Sequence, residues 1–224
     1  MITVIGHRAN TPRWIKRFIK EGAHGIEIDF YCKNGSLYAS HLDLLGRARL
    51  LRERVANLLT SMHLLGPYRF EDLISLIEPG KILMLDLKSK LSQECIDQLG
   101  RVVQRFDAFV SLREYQVAAM LSDLGIRTLL SMDHRPLNVL EELRETNAAG
   151  ISINKKYLDE ELAQRVREEG YLIAVWVVNS LSEARRVIGL GADILVTDYP
   201  GELIKKKPWQ EPSVNNRRIS QSRD

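Results

Sequence analysis

Two polar clusters near the N-terminus are the residues of this chain best suited to chemistry. His7 and Arg8 follow the apolar run 2–5, and Glu27 and Asp29 lie in the next apolar run. Residues two apart in a strand point to the same face, so we expect the two carboxylates to lie side by side. Like charges at that separation repel each other unless a cation lies between them. A basic pair next to a carboxylate pair is typical of phosphate-ester chemistry on a metal.

A third carboxylate completes a candidate metal site. Asp86 lies in a later apolar run, and together with Glu27 and Asp29 it would form a set of ligands made of oxygen atoms only. Such sets favour Mg²⁺ or Ca²⁺ over Zn²⁺, so we expect one of these two cations as the cofactor. Arg8 and Lys88 are expected to bind the phosphoryl oxygens. The alternative is an ion-pair network without metal, in which Arg8 and Lys88 neutralise the carboxylates.

Two histidines are the candidate general acid and base. His7 follows the first apolar run, His41 lies a dozen residues past Asp29, and imidazole titrates near neutral pH. The other three histidines, His24, His63 and His134, are not part of these clusters and are interpreted as core or surface residues.

Two further side chains allow two interpretations each. Trp176 either forms a wall for the alcohol part of the substrate or packs in the core. Asp43 either orients His41 or serves as a turn residue. The sequence leaves both choices open.

Strand-like and helix-like segments alternate along the chain, as in a βα repeat. The eight apolar runs span 2–7, 25–31, 81–87, 108–112, 127–132, 150–154, 171–178 and 193–197. Helical patterns span 12–21, 69–77, 92–105, 113–124, 136–146, 159–169, 181–190 and 200–206. Eight βα units predict a single-domain (β/α)8 TIM barrel, with the active site at the carboxyl ends of its strands. A doubly wound sheet is the alternative, but no Gly-rich phosphate loop follows the first strand.

One hairpin interrupts this alternation. Asn34-Gly35 is a two-residue turn signal, and it predicts that the second strand folds back through 37–40 and brings His41 to the barrel mouth. Residues 42–67 are interpreted as a loop insertion that contains a helix. The barrel domain is predicted to span 1–207, and the polar, basic segment 208–224 is predicted to be disordered.

Composition argues against several classes of protein. Net charge is +3, and residues 205–224, with six Lys or Arg and two acids, contribute +4 of it, so the rest is near −1. No basic stripe supports nucleic-acid binding. The two cysteines, Cys32 and Cys95, suggest neither a disulfide framework nor a metal cluster. No apolar run is long enough to span a membrane, and no leader pattern follows Met1, so we expect a soluble, cytoplasmic protein.

The motifs together resemble the glycerophosphodiester phosphodiesterase family. The matching segments are Gly-His7-Arg8, Gly-Ile-Glu27-Ile-Asp29, Ser-His41-Leu-Asp43, Leu-Asp86-Leu-Lys88, Val-Trp176-Val-Val-Asn179 and Val-Thr-Asp198-Tyr-Pro200. They occur in the family's order over nearly the whole body of the chain. The resemblance implies a barrel, a divalent metal held by the acidic positions, and two histidines that flank the phosphate.

Three departures separate the chain from the family pattern. Ala9 replaces the usual glycine after His-Arg, and Asn10-Thr11-Pro12 stands for a longer Pro-Glu-Asn-Thr segment. The insertion after the second histidine is short, and Asp86 occupies a position that is usually Glu. The last feature and the short first loop also look like the sphingomyelinase D toxins, which are secreted and disulfide-bonded.

Three functions therefore remain open at this point. The first is metal-dependent hydrolysis of glycerophosphodiesters to an alcohol and glycerol 3-phosphate. The second is a sphingomyelinase D- or lysophospholipase D-like activity on lipids, and the third is a binding module without activity. The sequence does not decide whether water attacks directly or a substrate hydroxyl first closes a cyclic phosphate.

Overall fold

The computed structural model of the chain describes residues 1–40 and 68–210. Its strands are β1 (Thr3–Gly6), β2 (Gly25–Lys33), β3 (Ser36–Ala39), β4 (Tyr68–Arg69), β5 (Ile82–Leu87), β6 (Asp107–Leu112), β7 (Thr128–Met132), β8 (Gly150–Asn154), β9 (Leu172–Trp176) and β10 (Ile194–Thr197). The eight strands β1, β2 and β5–β10 are parallel, and β1 pairs with both β2 and β10, which closes the sheet. The predicted TIM barrel is confirmed.

Helices follow the barrel strands and cover their outer faces. They are α1 (Pro12–Lys20), α2 (Phe70–Ile74), α3 (Gln93–Val103), α4 (Tyr115–Asp123), α5 (Val139–Thr146), α6 (Glu160–Glu168), α7 (Leu181–Gly189) and α8 (Pro200–Lys206). Side-chain oxygens cap the amino ends of four of them, from Thr11, Ser92, Asp159 and Ser180. All eight predicted helices are present.

The barrel interior alternates between apolar and polar layers along each strand. One cluster of buried side chains fills the lower interior: Ile5, Met84, Phe109, Leu129, Ala174, Ile194 and Val196. Because side chains two apart share a face, the residue two positions beyond most of these points to the same interior, nearer the strand's carboxyl end. The apolar layer thus lies beneath the polar residues at the barrel mouth, while the larger core lies between strands and helices.

The predicted hairpin is confirmed. Asn34 and Gly35 both have positive φ, 51° and 71°, and β3 pairs antiparallel with the extension of β2. The two-residue strand β4, which pairs with β3, was not predicted, because it is too short to show an alternating pattern. The predicted insertion 42–67, His41 and Asp43 lie outside the described residues.

The expectation that the cysteines are unpaired was wrong. Cys32, at the end of β2, and Cys95, in the first turn of α3, form a disulfide across a separation of 63 residues. The pairing arises because the hairpin extends past the barrel and lies against the start of α3, a contact that cysteine spacing does not reveal. The cytoplasmic location stays a prediction.

The described chain continues three residues beyond the predicted domain boundary at 207. Pro208 is buried, and Trp209 packs against the larger core between the strands and the helices. Residues 211–224, the remainder of the segment predicted to be disordered, lie outside the described residues. No helix within 1–40 and 68–210 is long and apolar enough to cross a bilayer.

Candidate active site

Seven of the eight predicted site residues line one cavity at the carboxyl ends of the barrel strands. These are His7, Arg8, Glu27, Asp29, Asp86, Lys88 and Trp176, and the cavity volume is about 110 Å³. The eighth, His41, lies outside the described residues. The structure thus brings the sequence-predicted residues together, while the role of each stays a prediction.

The three carboxylates form a compact group. One oxygen from each of Glu27, Asp29 and Asp86 lies within 4.8 Å of the others. The parallel register of β2 and β5, which pairs Asp29 with Asp86, produces this arrangement. Burial raises the pKa of Glu27 well above its usual value, and the charges of Asp29 and Asp86 raise it further. Full ionisation of the group is therefore unfavourable without a cation, and a divalent cation among the three oxygens would stabilise the ionised carboxylates.

Two basic side chains offset part of the negative charge of the carboxylates. Lys88 Nζ lies 2.9 Å from Asp29 Oδ1 and also pairs with Asp86, while Arg8 Nε is 3.8 Å from Asp29 Oδ2. Burial lowers the pKa of Lys88, but the two carboxylates outweigh it and the pKa is raised. Within the described part of the chain, no Lys or Arg side chain pairs with Glu27. The ion-pair alternative thus leaves Glu27 without a cation, whereas an oxygen-ligated metal fits the set.

The loop after β1 holds the carboxylates from one side. Arg8 adopts a left-handed φ of 53°, and its backbone N–H donates to Glu27 Oε2 at 2.5 Å. Asn10 bonds Asp29 twice: its Nδ2 donates to Oδ2 at 2.8 Å, and its Oδ1 accepts the Asp29 backbone N–H at 2.9 Å. A left-handed non-glycine residue costs about 1–2 kcal/mol, which these bonds offset. Asn10, in the shortened first loop, was not predicted as a site residue.

His7 is oriented by a carboxylate from the far end of the chain. His7 Nδ1 lies 2.8 Å from Asp198 Oδ1, and this hydrogen bond holds the pKa of Asp198 below its usual value. An ionised carboxylate only accepts hydrogen bonds, so Nδ1 carries a proton, and in the neutral imidazole the lone pair is then on Nε2. Asp198 belongs to a motif of the family resemblance, but the sequence analysis assigned it no role.

Asn179 fixes the position of Asp198 in turn. Its Nδ2 donates to Asp198 Oδ2 at 2.6 Å, and its Oδ1 accepts from the Asp198 backbone N–H at 3.0 Å. The Asn179 backbone N–H donates to Glu183 Oε2 at 2.9 Å, and Lys155 Nζ donates to Glu183 Oε1 at 2.5 Å. A chain of bonded polar groups therefore runs from α7 to the imidazole of His7.

The cavity has further lining residues that the sequence analysis did not single out. These are Met84, Ser111, Arg113, Ser131, Ser152 and Val196. Each of them occupies an inward-facing position of its strand or lies just beyond the strand. Counting in steps of two from the buried interior residues would therefore have identified these positions from the sequence. Trp176 both lines the cavity and packs against the inner apolar cluster, so its two interpretations are compatible.

Comparisons with known proteins agree on the architecture. Neither a protein-family model nor a curated protein matches the sequence. Among solved structures, an Oleispira antarctica phosphodiesterase in complex with the product sn-glycerol-3-phosphate is similar, with a TM-score of 0.74, 21% identity, and coverage of 91% of this chain and 95% of that chain.

Two glycerophosphodiester phosphodiesterases are also similar to this chain. The protein from Thermotoga maritima has a TM-score of 0.69 and 18% identity, with 92% of this chain and 98% of that chain covered. The protein from Parabacteroides distasonis has a TM-score of 0.69 and 20% identity, with coverage of 93% and 98%. Similarity over nearly the full length of both chains establishes a shared (β/α)8 barrel fold.

Proposed function

We propose that this protein is a metal-dependent phosphodiesterase that hydrolyses glycerophosphodiesters to an alcohol and glycerol 3-phosphate. The observation that carries the proposal is the convergence of His7, two cations and three carboxylates on one cavity at the barrel mouth. The phosphodiesterase fold, and the glycerol phosphate product bound to the Oleispira protein, support the same substrate class. Convergence of such groups by chance is improbable because charged side chains within strands are costly unless they are paired or bind a ligand.

The phosphoryl group is assigned to the cationic side of the cavity. Arg8 and Lys88 bind its non-bridging oxygens, and Arg113 at the rim adds a third positive charge. Glu27, Asp29 and Asp86 hold a divalent cation, Mg²⁺ or Ca²⁺. When bound, such a cation neutralises the negative charge that develops on the phosphoryl oxygens.

Proton transfer is assigned to the histidines. In net terms, hydrolysis breaks one P–O ester bond, adds a water oxygen to phosphorus and passes a proton to the departing alcohol oxygen. His7, whose Nε2 lone pair is free because Asp198 engages Nδ1, accepts or returns one of these protons. His41 is proposed as its partner on the other side of the phosphate. Trp176 forms one wall of the cavity for the alcohol part of the substrate.

A substrate panel tests this proposal. Glycerophosphodiesters with different alcohols, and lysophospholipids, are incubated with the protein in Mg²⁺, in Ca²⁺ and in EDTA, and glycerol 3-phosphate is quantified. We expect release of glycerol 3-phosphate with a divalent cation and none in EDTA. The variant Glu27→Gln is expected to be inactive, and Glu114→Gln, which alters an exposed acid on a neighbouring loop, should retain activity.

Two results would overturn the proposal. One is the absence of turnover with every diester and metal for a folded protein. The other is release of the free headgroup with lysophosphatidate from lysophospholipids only, which would favour the lipid phosphodiesterase alternative.

A further inference from the structure

Three serine side chains form one wall of the cavity, and the proposed mechanism gives them no role. Ser111, Ser131 and Ser152 lie on the neighbouring strands β6, β7 and β8, and all three line the cavity. Ser131 pairs in register with Ser152, and Ser111 pairs with Asp86. In the closed strand order, β7 and β8 lie across the barrel from β1 and β2. His7 directly follows β1, Glu27 and Asp29 lie on β2, and Asp86 lies on β5 beside Ser111. We call these three residues the serine wall.

The hydroxyls of the serine wall differ from those of the buried threonines. Ser111 and Ser152 are each 1% exposed, and Ser131 is partly buried. The buried threonines all have partners: Thr128 bonds Ser122, Thr146 bonds backbone carbonyls and Thr197 bonds Asn179. Within residues 1–40 and 68–210, no protein group hydrogen-bonds any hydroxyl of the serine wall.

The serine hydroxyls line the cavity rather than being sealed in the core. A hydroxyl without a protein partner is available to hydrogen-bond a group that enters the cavity. Each hydroxyl can donate one hydrogen bond and accept others, and it carries no charge. That chemistry matches alcohol hydroxyls. The cations Arg8 and Lys88, which suit phosphoryl oxygens, lie just after β1 and β5, and Arg113 follows β6 at the rim.

The remaining lining residues match the carbon skeleton of a small polyol. Met84 and Val196 supply apolar surface below the serine wall, and Trp176 supplies an aromatic face beside it. Interior barrel positions are usually filled by bulky branched side chains, so serine at three of them leaves room. The cavity volume of about 110 Å³ suits a small group.

We infer that the serine wall binds the hydroxyls of the substrate's glyceryl group and thereby selects a polyol for this side of the phosphate. The inference rests on the proposed function, since it takes the phosphoryl group to lie on the β1, β2 and β5 side. It places the glyceryl half of the diester inside the barrel, between the serine wall and Met84. The second alcohol then extends towards the mouth, where its size is less restricted.

Two ligands that differ only in hydroxyl groups test the inference by direct binding. Glycerol 3-phosphate and propyl phosphate are titrated calorimetrically, with Mg²⁺ or Ca²⁺ present, into the wild-type protein and into the triple variant Ser111→Ala, Ser131→Ala, Ser152→Ala. We expect the wild type to prefer glycerol 3-phosphate by about tenfold or more, since each hydrogen bond contributes about two- to tenfold. The triple variant should lose that preference and keep the wild-type Kd for propyl phosphate.

Controls separate a binding role from a structural one. Ser122→Ala removes a part-buried hydroxyl that bonds Thr128 away from the cavity, and it should leave both Kd values unchanged. If the triple variant does not fold, the three single variants are measured, each with an expected loss of about two- to tenfold for glycerol 3-phosphate only. Equal losses for both ligands, or no loss for either, would overturn the inference, as would a wild type without preference.

The same experiment distinguishes failure of the inference from failure of the proposed function. A serine-dependent preference for glycerol 3-phosphate in a protein that turns over no diester supports the inference and refutes the proposed function. Turnover of glyceryl and propyl diesters with equal kcat/KM in the wild type refutes the inference and leaves the proposed function in place.

Discussion

His7 Nδ1 lies 2.8 Å from Asp198 Oδ1, and this contact joins the carboxyl ends of the first and last barrel strands. The two residues are 191 positions apart in sequence. The closed barrel makes them neighbours because β1 pairs with β10, with Gly6 opposite Thr197. Asp198 thereby fixes the tautomer of His7, which makes it a positioning residue for the proposed proton transfer.

The variant Asp198→Asn should lower kcat by about 10²-fold or more, because an amide can donate to Nδ1 and so place the proton on Nε2. Its KM and its affinity for the divalent cation should change little, since Asp198 is not part of the carboxylate group. A steady-state assay, together with calorimetric metal titration, measures these quantities. The control is Asp133→Asn, which alters a mouth carboxylate that bonds Asn154 rather than a histidine. Equal kcat values for Asp198→Asn and wild type would contradict the assigned tautomer.

The two candidate acid–base residues are tested by His7→Ala and His41→Ala. Each should lower kcat by about 10²–10⁴-fold with metal affinity nearly unchanged, because neither is assigned as a ligand. His134→Ala is a suitable control, since this residue is exposed on the loop after β7. His63→Ala, outside the described residues, should also be near neutral in activity. Loss of metal binding in His7→Ala or His41→Ala would show that a histidine is a metal ligand.

The carboxylate group should couple metal binding to stability. Mg²⁺ or Ca²⁺ in excess should raise the melting temperature of the wild-type protein. A free cation concentration of 100 times its Kd corresponds to an increase of about 2.7 kcal/mol in the free energy of unfolding. Glu27→Gln should abolish both this rise and the activity. In EDTA, the variant should melt at the wild-type temperature or above it, because the substitution removes a like charge from the group. Full wild-type activity after exhaustive EDTA treatment and metal-free dialysis would refute the metal assignment.

The barrel and most of the cavity follow from local sequence patterns. Apolar runs that alternate with helical segments identified the strands, and a period of two placed Glu27 with Asp29 and Asp86 with Lys88. Because the barrel is closed and its strands are parallel, the carboxyl ends of all eight strands lie at the same mouth.

The features that the sequence did not predict depend on contacts between distant residues. The pairing of His7 with Asp198 needs the closed strand order, and the Cys32–Cys95 bond needs the hairpin to lie against α3. Asn10 bonds Asp29 only because Arg8 turns the loop with a positive φ. Single serines in apolar strands carry no chemical signal until their strands are placed side by side.

Two truncations should separate the described C-terminus from the residues that follow it. A protein that ends at Gln210 should retain the melting temperature and the kcat of the full chain, since no predicted site residue lies beyond it. A protein that ends at Lys207 should be destabilised by about 1–3 kcal/mol, because it loses buried Pro208 and the contact of Trp209 with the core. Urea unfolding measures the difference. Equal stabilities for the two truncations would show that Pro208 and Trp209 contribute nothing to the barrel.

Stability should also depend on pH through His24, at the opposite end of the barrel from the cavity. His24 Nδ1 accepts the backbone N–H of Val4 at 3.0 Å, which only an unprotonated nitrogen can do. Burial, and then the charge of Lys81, lower the pKa of His24 below its usual value of 6.5. Between the lowered pKa and 6.5 the unfolded chain binds more protons than the folded chain, so the free energy of unfolding falls as pH drops through this window.

The His24 contribution is therefore fully present above about pH 6.5 and is lost towards lower pH. His24→Asn supplies a side-chain oxygen that can accept the same N–H and does not titrate, so its unfolding free energy should fall less between about pH 7.5 and pH 5.5 than that of the wild type. Urea unfolding at both pH values, for wild type, His24→Asn and the exposed-site control His134→Asn, measures the difference. His134→Asn should keep the wild-type pH dependence. If His24→Asn also keeps it, protonation of His24 does not limit stability in acid.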